Sequence, residues 1–236
     1  MIVYGRNPVR ELLRGRRAHQ LGRLWATSRA AREPWLAQAG PTVTTAAELE
    51  ALCASDAHQG VAADAGPYCY AGSDELLATP EALIVVLDEV QDPQNLGAVC
   101  RSAESAGATG VVIPERRSAD VTPAVCKASA GAVEHLAIAR IGNVADFLRR
   151  ARDAGCWSYG ASARGGRPYD EIDYRGGVVL VLGAEGRGLR PLVARTCDEL
   201  IVIPQRGQVG SLNVASAAAV LLYGVLHARK GLDRNP

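Results

Sequence analysis

Residues 199–223 read ELIVIPQRGQVGSLNVASAAAVLLY, and their pattern is the clearest indication of how the chain folds. An apolar run from Leu200 to Ile203 ends at a proline, a loop with two glycines follows, and a long apolar segment begins at Val214. The pattern predicts a buried strand, a flexible loop and a buried helix. Ser211 or Asn213 would serve as the helix cap, but a cap does not explain so many glycines and polar groups between two apolar elements. That combination is typical of a ligand site.

Strand and helix alternate along the residues that precede this stretch. Leu83 to Leu87 is a continuous apolar run, as expected for a strand that is covered on both faces. Further strands are predicted at 110–113, 136–139, 157–160 and 178–182, and helices near 95–103, 123–131, 144–154, 189–196 and 214–228. The alternation predicts an α/β fold with an open, mostly parallel sheet and helices on both faces.

The first third of the chain is organised differently. Residues 1–70 read as a small α/β unit of short helices and strands, with its first helix at 5–14. Residues 71–81 belong to a turn-rich, poorly periodic stretch and are interpreted as a linker. The predicted domains are therefore 1–70 and 82–236.

A one-signed charge pattern marks the N-terminus, although the formal net charge of the 236 residues is only +1. Arg6, Arg10, Arg14 and Arg17 recur at helical spacing, which would place them on one face of a helix. A solvated helix surface is the simpler interpretation. Because the planar guanidinium group suits phosphate, we favour a face that binds nucleic acid.

The composition, with 48% hydrophobic and 22% charged residues, is that of an ordinary globular protein. No apolar run approaches the roughly 20 residues of a membrane span, and the first residues form no apolar signal region. We therefore expect a cytoplasmic protein with no membrane partner. Six cysteines without a CxxC pair predict buried thiols, and neither disulfides nor a metal site.

Polar residues follow three of the predicted strands, in the segments 88–101, 183–188 and 205–213. Ligands bind beyond the carboxyl ends of the strands in such sheets, so we expect the three segments to form one site. The sequence GAEGRG lacks the GxGxxG spacing of a dinucleotide site, and no GxxxxGK[ST] phosphate loop occurs. No histidine lies in these loops to activate Ser211, which argues against a hydrolase.

The same three segments resemble, in order, the three motifs of the SpoU (TrmH) family of RNA ribose 2′-O-methyltransferases. The matching residues are DPQNLG at 92–97 with Arg101 in the helix that follows, LGAEGRGL at 182–189, and Ile203-Pro204 followed by SLNV at 211–214. Ala184 and the run DPQNLGAVCRSAESAG look most like the bacterial 23S rRNA guanosine 2′-O-methyltransferases of this family. Residues 1–70 resemble the substrate-binding domain, similar to ribosomal protein L30e, that often precedes the catalytic domain.

The resemblance implies a cofactor and a topology that the pattern alone does not predict. It implies S-adenosylmethionine held by a C-terminal segment with a trefoil knot, in a homodimer whose sites lie near the interface. Ribosomal RNA is the implied partner, and no metal is implied. The implied cofactor contacts are made largely by backbone groups, at Gly183, Ala184, Gly188, Ile203 and Leu212.

The implied reaction is methyl transfer to a ribose 2′-hydroxyl, a weak nucleophile that needs alignment and charge stabilisation. Arg101 is the implied activating residue. Since a guanidinium keeps its proton at neutral pH, we expect it to stabilise the alkoxide electrostatically. Asn95, Ser211 and Asn213 are expected to position ribose and cofactor, and Glu185 to orient Arg101 or a loop backbone.

Several alternatives stay open at this point. Taken singly, Asn95 and Asn213 are also explained as helix caps, Glu185 as a surface ion pair and Arg101 as a solvated helix residue. The substrate could instead be transfer RNA or an antibiotic-site ribosomal nucleotide, and a non-catalytic RNA-binding or ribosome-assembly protein could share the fold. The chain departs from the family pattern at Gln205, where methionine is usual, and at Gly224, where glutamate is frequent.

Overall fold

The structure, a computed structural model, describes residues 1–208 and 210–232. It divides into two compact units. Unit 1 comprises Met1–Cys69 and Asp120–His135, and unit 2 comprises Tyr70–Ala119 and the described residues from Leu136 onwards. Within the described ranges, no helix is long and apolar enough to cross a membrane.

The elements alternate along the chain. The strands are β1 (Ile2–Tyr4), β2 (Leu24–Thr27), β3 (Thr42–Thr44), β4 (Val61–Asp64), β5 (Leu83–Asp88), β6 (Gly110–Pro114), β7 (Ala137–Ile141), β8 (Cys156–Ser162), β9 (Arg167–Pro168), β10 (Gly177–Gly183) and β11 (Glu199–Val202). The helices are α1 (Arg6–Leu12), α2 (Pro34–Ala39), α3 (Ala46–Cys53), α4 (Ser73–Leu77), α5 (Pro93–Ser105), α6 (Pro123–Ala128), α7 (Val144–Asp153), α8 (Pro191–Thr196) and α9 (Val214–Leu232).

Unit 1 contains a four-stranded sheet in the order β1-β4-β2-β3. β4 is antiparallel to both of its neighbours, and β2 and β3 are parallel. α1 buries Val9 and Leu12. α3 begins with a reciprocal cap, in which the Thr45 hydroxyl accepts from the Glu48 amide and the Glu48 carboxylate accepts from the Thr45 amide.

The predicted basic helix face is shorter than the arginine spacing suggests. α1 ends at Leu12, so Arg17 lies beyond it and is only 3% exposed. Its Nε and Nη2 donate to the Glu134 carboxylate at 2.9 and 2.6 Å, and its Cζ lies 4.8 Å from the centre of the Tyr68 ring. The prediction that Arg17 belongs to an exposed nucleic-acid-binding face is therefore wrong, because the guanidinium is buried in an ion pair.

The same ion pair shows why residues 120–135 belong to unit 1, although the sequence interpretation placed all of 82–236 in the second domain. Two further contacts join this segment to the first 69 residues. Lys127 Nζ donates to the carbonyl of Ala57 at 2.8 Å, and the Tyr68 hydroxyl donates to the carbonyl of Val133 at 2.9 Å. Unit 1 is thus built from two stretches of the chain, whereas the boundaries at 70 and 82 stay a prediction.

Unit 2 contains a seven-stranded sheet in the order β7-β6-β5-β10-β8-β11-β9, and every neighbouring pair is parallel. β5 is buried at each of its residues, and β10 is buried except at its two ends. Such fully apolar strands need cover on both faces. The predicted α/β fold with a large parallel sheet and flanking helices is confirmed, while β9 and α4 escaped prediction.

The last helix explains one departure from the family pattern. α9 packs against α5, β10 and the short turn of helix at Tyr169–Glu171. A Cβ atom at Gly224 would lie 2.9 Å from two ring carbons of Tyr169. The Tyr169 ring therefore occupies the space that a side chain at 224 would need, and a larger residue there would have to displace the ring.

A buried carboxylate near the amino ends of β8 and β11 joins three parts of unit 2. Asp198 Oδ2 accepts from the Ser158 amide at 2.8 Å and from its hydroxyl at 2.5 Å, and Oδ1 accepts from Arg152 Nε at 2.7 Å. Burial alone would raise the pKa of Asp198, but these hydrogen bonds outweigh it and hold the pKa below its usual value.

The Arg17–Glu134 pair allows a test of the discontinuous unit. Replacing Arg17 by alanine leaves the carboxylate of Glu134 buried without its partner, so we expect the free energy of unfolding to fall by about 3–5 kcal/mol. Urea unfolding measures the change. Arg14→Ala, at an exposed arginine of the same segment, is the control and should have little effect. An equal loss in the two variants would contradict the burial of Arg17.

The lowered pKa of Asp198 predicts a pH dependence of stability. The stabilisation is present above the unfolded pKa of about 3.9 and is lost as the pH falls through the lower folded value. The difference in free energy of unfolding between the parent and Asp198→Asn should therefore be largest near neutral pH and shrink below about pH 4. Urea titrations at pH 6 and pH 3 test this, and a constant difference would be the opposite result.

Candidate active site

Three loops at the carboxyl ends of β5, β10 and β11 meet through side-chain hydrogen bonds. Asn95 Nδ2 donates to Glu185 Oε1 at 3.1 Å, and Asn213 Nδ2 donates to the same oxygen at 2.5 Å. Asn213 Nδ2 also lies 3.0 Å from Asn95 Oδ1, which accepts from it. The three predicted polar residues therefore form one cluster, although they are separated by up to 118 positions in the sequence.

The simpler explanations as helix caps account for only part of this cluster. Asn213 does cap α9, since its Oδ1 accepts from the Ala215 amide at 2.8 Å. Its Nδ2 is left to face Glu185. α5, by contrast, is capped by Asp92, whose carboxylate accepts from the Gln94 amide at 2.9 Å. Asn95 lies inside the helix, is buried, and uses its side chain for the cluster.

Glu185 stands on a tight hairpin, residues 183–188, whose backbone requires glycine. The Gly188 amide donates to the carbonyl of Ala184 at 2.9 Å, and Gly186 and Gly188 have φ angles of 74° and 67°. A Cβ atom at Gly183 would lie 2.1 Å from the carbonyl carbon of Gly188. The glycines thus let the hairpin fold back on itself and present the Glu185 carboxylate to the two asparagines.

An ion pair between Asp88 and Arg190 holds the chain just after this hairpin. Asp88, the last residue of β5, has a fully buried side chain. Its Oδ2 accepts from the Arg190 amide at 2.9 Å, and its Oδ1 accepts from Arg190 Nε at 2.8 Å and Nη2 at 2.6 Å. Sequence reasoning missed this pair, although an aspartate that ends an otherwise apolar strand was a signal for it.

A cavity of about 870 Å³ opens beside the cluster. Its walls contain the five residues predicted to bind the cofactor: Gly183, Ala184, Gly188, Ile203 and Leu212. Glu185, Ser211 and Asn213 line it as well, and most of the remaining wall consists of apolar side chains such as Leu200 and Leu221. The cavity suits a ligand with an apolar ring system and a polar end, since backbone and apolar groups form its wall and the polar cluster lies at one side.

Arg101 and Ser211 stand apart from the hydrogen-bonded cluster. Arg101 is exposed on α5 and does not belong to the cavity wall of the described chain. Glu185 therefore contacts Asn95 and Asn213, and the structure does not show it orienting Arg101. Ser211 is exposed at the cavity edge.

The basic residues predicted to bind RNA also separate. Arg6, Arg10 and Arg14 are exposed in unit 1, and the Arg6 guanidinium pairs with Glu33. Only Arg17 is buried. Within the described residues, no group of three or more His, Cys, Asp or Glu side chains is placed to hold a metal ion.

Comparison with known protein families covers nearly the whole chain. The SpoU rRNA methylase family matches residues 82–223, and the family described as RNA 2′-O ribose methyltransferase substrate binding matches residues 2–71. The first range contains the polar cluster, and the second contains Arg6, Arg10 and Arg14.

Curated relatives carry the name of uncharacterized tRNA/rRNA methyltransferases. A protein of Mycobacterium bovis is 42% identical over 188 residues, which cover 78% of this chain and 58% of the relative. A protein of Synechocystis is 37% identical over 247 aligned residues, which cover 99% of this chain and 64% of the relative. The chain thus spans only about 58–64% of the length of these relatives.

Solved structures share the fold. The AdoMet-bound rRNA methyltransferase from Sinorhizobium meliloti matches with a TM-score of 0.78 and 28% identity, covering 98% of this chain and 87% of that chain. The methyltransferase AviRb from Streptomyces viridochromogenes, in complex with AdoMet, matches with a TM-score of 0.79 over 98% of this chain and 90% of that chain. Its identity of 24% supports the likeness in fold alone.

The double role of Asn213 can be separated by two substitutions. Asn213→Ala removes the cap of α9, so we expect the free energy of unfolding to fall by about 1 kcal/mol. Asn213→Ser keeps a capping oxygen and should be nearly as stable as the parent, while it loses the amide that reaches Glu185. Thermal unfolding of the two variants tests this. Equal destabilisation would show that the cap is not what Asn213 contributes to stability.

Proposed function

The chain belongs to the SpoU rRNA methylase family, and from this membership we propose that it transfers a methyl group from S-adenosylmethionine to a ribose 2′-hydroxyl of RNA. The observation that carries the proposal is the Asn95–Glu185–Asn213 cluster at the edge of a cavity. A protein that only binds RNA has no need of three converging polar side chains at such a cavity.

The cavity fits S-adenosylmethionine. Its volume of about 870 Å³ lies within the range of ligand sites, about 300–1,000 Å³. We propose that the backbone groups of Gly183, Ala184, Gly188, Ile203 and Leu212 hold the cofactor, whose adenine would pack on apolar wall residues. When bound, S-adenosylmethionine supplies an electrophilic methyl group on a sulfonium centre.

The polar cluster positions the reacting hydroxyl in this proposal. The two asparagine amides are held in one orientation, because both donate to Glu185 Oε1. Preorganised amides cost little reorganisation when a ribose arrives, and correct placement of a weak nucleophile is a large part of catalysis. Ser211, at the cavity edge, adds a hydroxyl for ribose or cofactor. The 2′-hydroxyl would lose its proton to water or phosphate as its oxygen takes the methyl group, and the S–CH₃ bond would break to release the thioether S-adenosylhomocysteine.

Arg101 stabilises the developing alkoxide in this proposal. Its exposure on α5, away from the cavity wall of its own chain, is the observation that favours a site completed by a second protomer. We therefore propose a homodimer in which Arg101 reaches the partner's cavity. Tyr223 on α9 and Leu212 beside the cavity are large exposed apolar residues that such an interface would cover.

We also propose that the C-terminal segment forms a trefoil knot. β11 lies next to the edge strand of the sheet, whereas α9, which follows it, packs against β10 and α5 near the centre. The chain must therefore return from the edge to the middle through the loop after β11. This return path supports the knotted arrangement that the family resemblance implies.

For the substrate, we propose a guanosine of 23S ribosomal RNA, bound by unit 1 through Arg6, Arg10 and Arg14. The support is the similarity of the 92–107 segment to that subfamily and the match of residues 2–71 to a substrate-binding family. Mapping 2′-O-methylation on ribosomal and transfer RNA, in cells with and without the protein, tests this. If a 2′-O-methyl group disappeared from transfer RNA in cells without the protein, transfer RNA would be the substrate in place of ribosomal RNA. If calorimetry detected no binding of S-adenosylmethionine, a non-catalytic RNA-binding protein would be favoured.

Arg101→Ala is expected to lower kcat by about 10²–10³-fold, as for the loss of one charge-stabilising group, with unchanged affinity for S-adenosylmethionine. Single-turnover methylation and calorimetry measure the two quantities. A rate near that of the parent in a folded protein would remove Arg101 from the mechanism.

Mixing this variant with Asn95→Ala distinguishes whose cavity Arg101 serves. If Arg101 acts across a dimer, randomly mixed dimers regain about a quarter of the parent activity, because half of them contain one intact site. If it acts within its own chain, no activity returns. Refolding the two variants together, with each refolded alone as the control, provides the measurement.

A further inference from the structure

The same residue of β5 contacts the chain at the start of the hairpin at 183–188 and just after its end, at Arg190. At its start, Gly183 lies beside Asp88 in the parallel register of β10 and β5. At its end, the Asp88 carboxylate accepts from the backbone amide and the guanidinium of Arg190. Asp88 is therefore both the strand neighbour of Gly183 and the hydrogen-bond partner of Arg190. One residue thus contacts the chain before and after the hairpin.

The carboxylate of Asp88 is fully buried, and its hydrogen-bond donors are the amide and the guanidinium of Arg190. The Arg190 side chain is 43% exposed. On its outer side, Nη1 lies 3.7 Å from Glu89 Oε1, and the same Glu89 oxygen lies 3.4 Å from Arg117 Nη1. The arginine thus connects the buried Asp88 to Glu89, whose side chain is 14% exposed, and Glu89 in turn pairs with the exposed Arg117.

We propose that Asp88 and Arg190 are positioning residues that hold the hairpin in its cofactor-binding shape before S-adenosylmethionine arrives. This inference rests on the proposed function. Neither residue lies in the cavity wall of the described chain, so both act through the hairpin. Through it, they fix where Glu185 meets Asn95 and Asn213.

The glycines explain why such a device is needed. Gly183, Gly186 and Gly188 let the hairpin fold tightly, but glycine loses more conformational freedom on ordering than any other residue. If the loop were disordered without cofactor, each binding event would have to order it. A loop that is already ordered binds more tightly, because that entropy has been lost during folding.

The first test uses Asp88→Asn, which keeps the shape of the side chain and removes its charge. One oxygen of the carboxylate is replaced by an amide that cannot accept from Arg190. We expect faster hydrogen exchange at the amides of residues 184–190 in the cofactor-free protein. Calorimetry should show S-adenosylmethionine affinity lowered about 10–100-fold, as for the loss of a charged hydrogen bond.

Two further variants keep the test decisive if Asp88→Asn folds poorly. Arg190→Gln changes a partly exposed residue and should weaken cofactor binding in the same direction. The double variant Asp88→Asn with Arg190→Gln should bind about as weakly as the worse single variant, since the two residues act as one unit. Independent, additive losses would overturn the proposed coupling.

Asp198→Asn is the matched control. This aspartate also joins an arginine and a backbone amide in the same sheet, but near the amino ends of its strands. We expect it to lower stability without changing cofactor affinity or exchange at 184–190. If Asp88→Asn bound the cofactor like the parent with unchanged exchange, the positioning role would be wrong. If the parent itself bound no S-adenosylmethionine, the proposed function would fail, while the exchange comparison would still test whether Asp88 and Arg190 hold the hairpin.

Discussion

A single carboxylate oxygen, Glu185 Oε1, accepts hydrogen bonds from two asparagines, one inside α5 and one that caps α9. Because both amides donate to the same oxygen, a rotation of either asparagine side chain would break its hydrogen bond to Glu185. The cluster depends on the hairpin that carries Glu185, and the hairpin depends on glycines and on the Asp88–Arg190 pair. The geometry of the cluster therefore depends partly on glycines of the cavity wall and partly on an ion pair outside it.

The parallel sheet makes this convergence possible. In unit 2 all seven strands run in the same direction, so every loop at their carboxyl ends faces one edge. The buried side chains of these strands that carry an oxygen atom are Asp88 at the end of β5 and Ser158 and Tyr159 in β8. The strands are otherwise mainly apolar at their buried positions, whereas the loops carry the polar cluster.

Much of this architecture could be predicted from the sequence, because the evidence was local. Apolar runs at regular intervals indicated the parallel sheet, and three polar loops after strands indicated the site. Long-range charge pairs were not predictable in the same way. Asp88 and Arg190 are 102 positions apart, and no periodicity relates them.

Arg17 shows the opposite error, a local pattern that was misleading. Its spacing matched Arg6, Arg10 and Arg14, but α1 ends five residues before it, and its partner Glu134 lies 117 positions later. The pattern also gave no sign that residues 120–135 would leave the segment around them and complete unit 1. The structure shows that Arg17 lies beyond the end of α1 and pairs with a distant carboxylate. It is therefore a buried residue and does not belong to an exposed basic face.

The discontinuity of unit 1 has a consequence for how the protein is made and how it can evolve. During synthesis from the N-terminus, the first 69 residues emerge from the ribosome long before Glu134 does, so the buried charge of Arg17 must wait for its partner. The unit cannot reach its final packing until the segment that contains Glu134 has been translated. A recombination event that cut the gene between the two matched families would separate this pair, which ties the inheritance of the two units together.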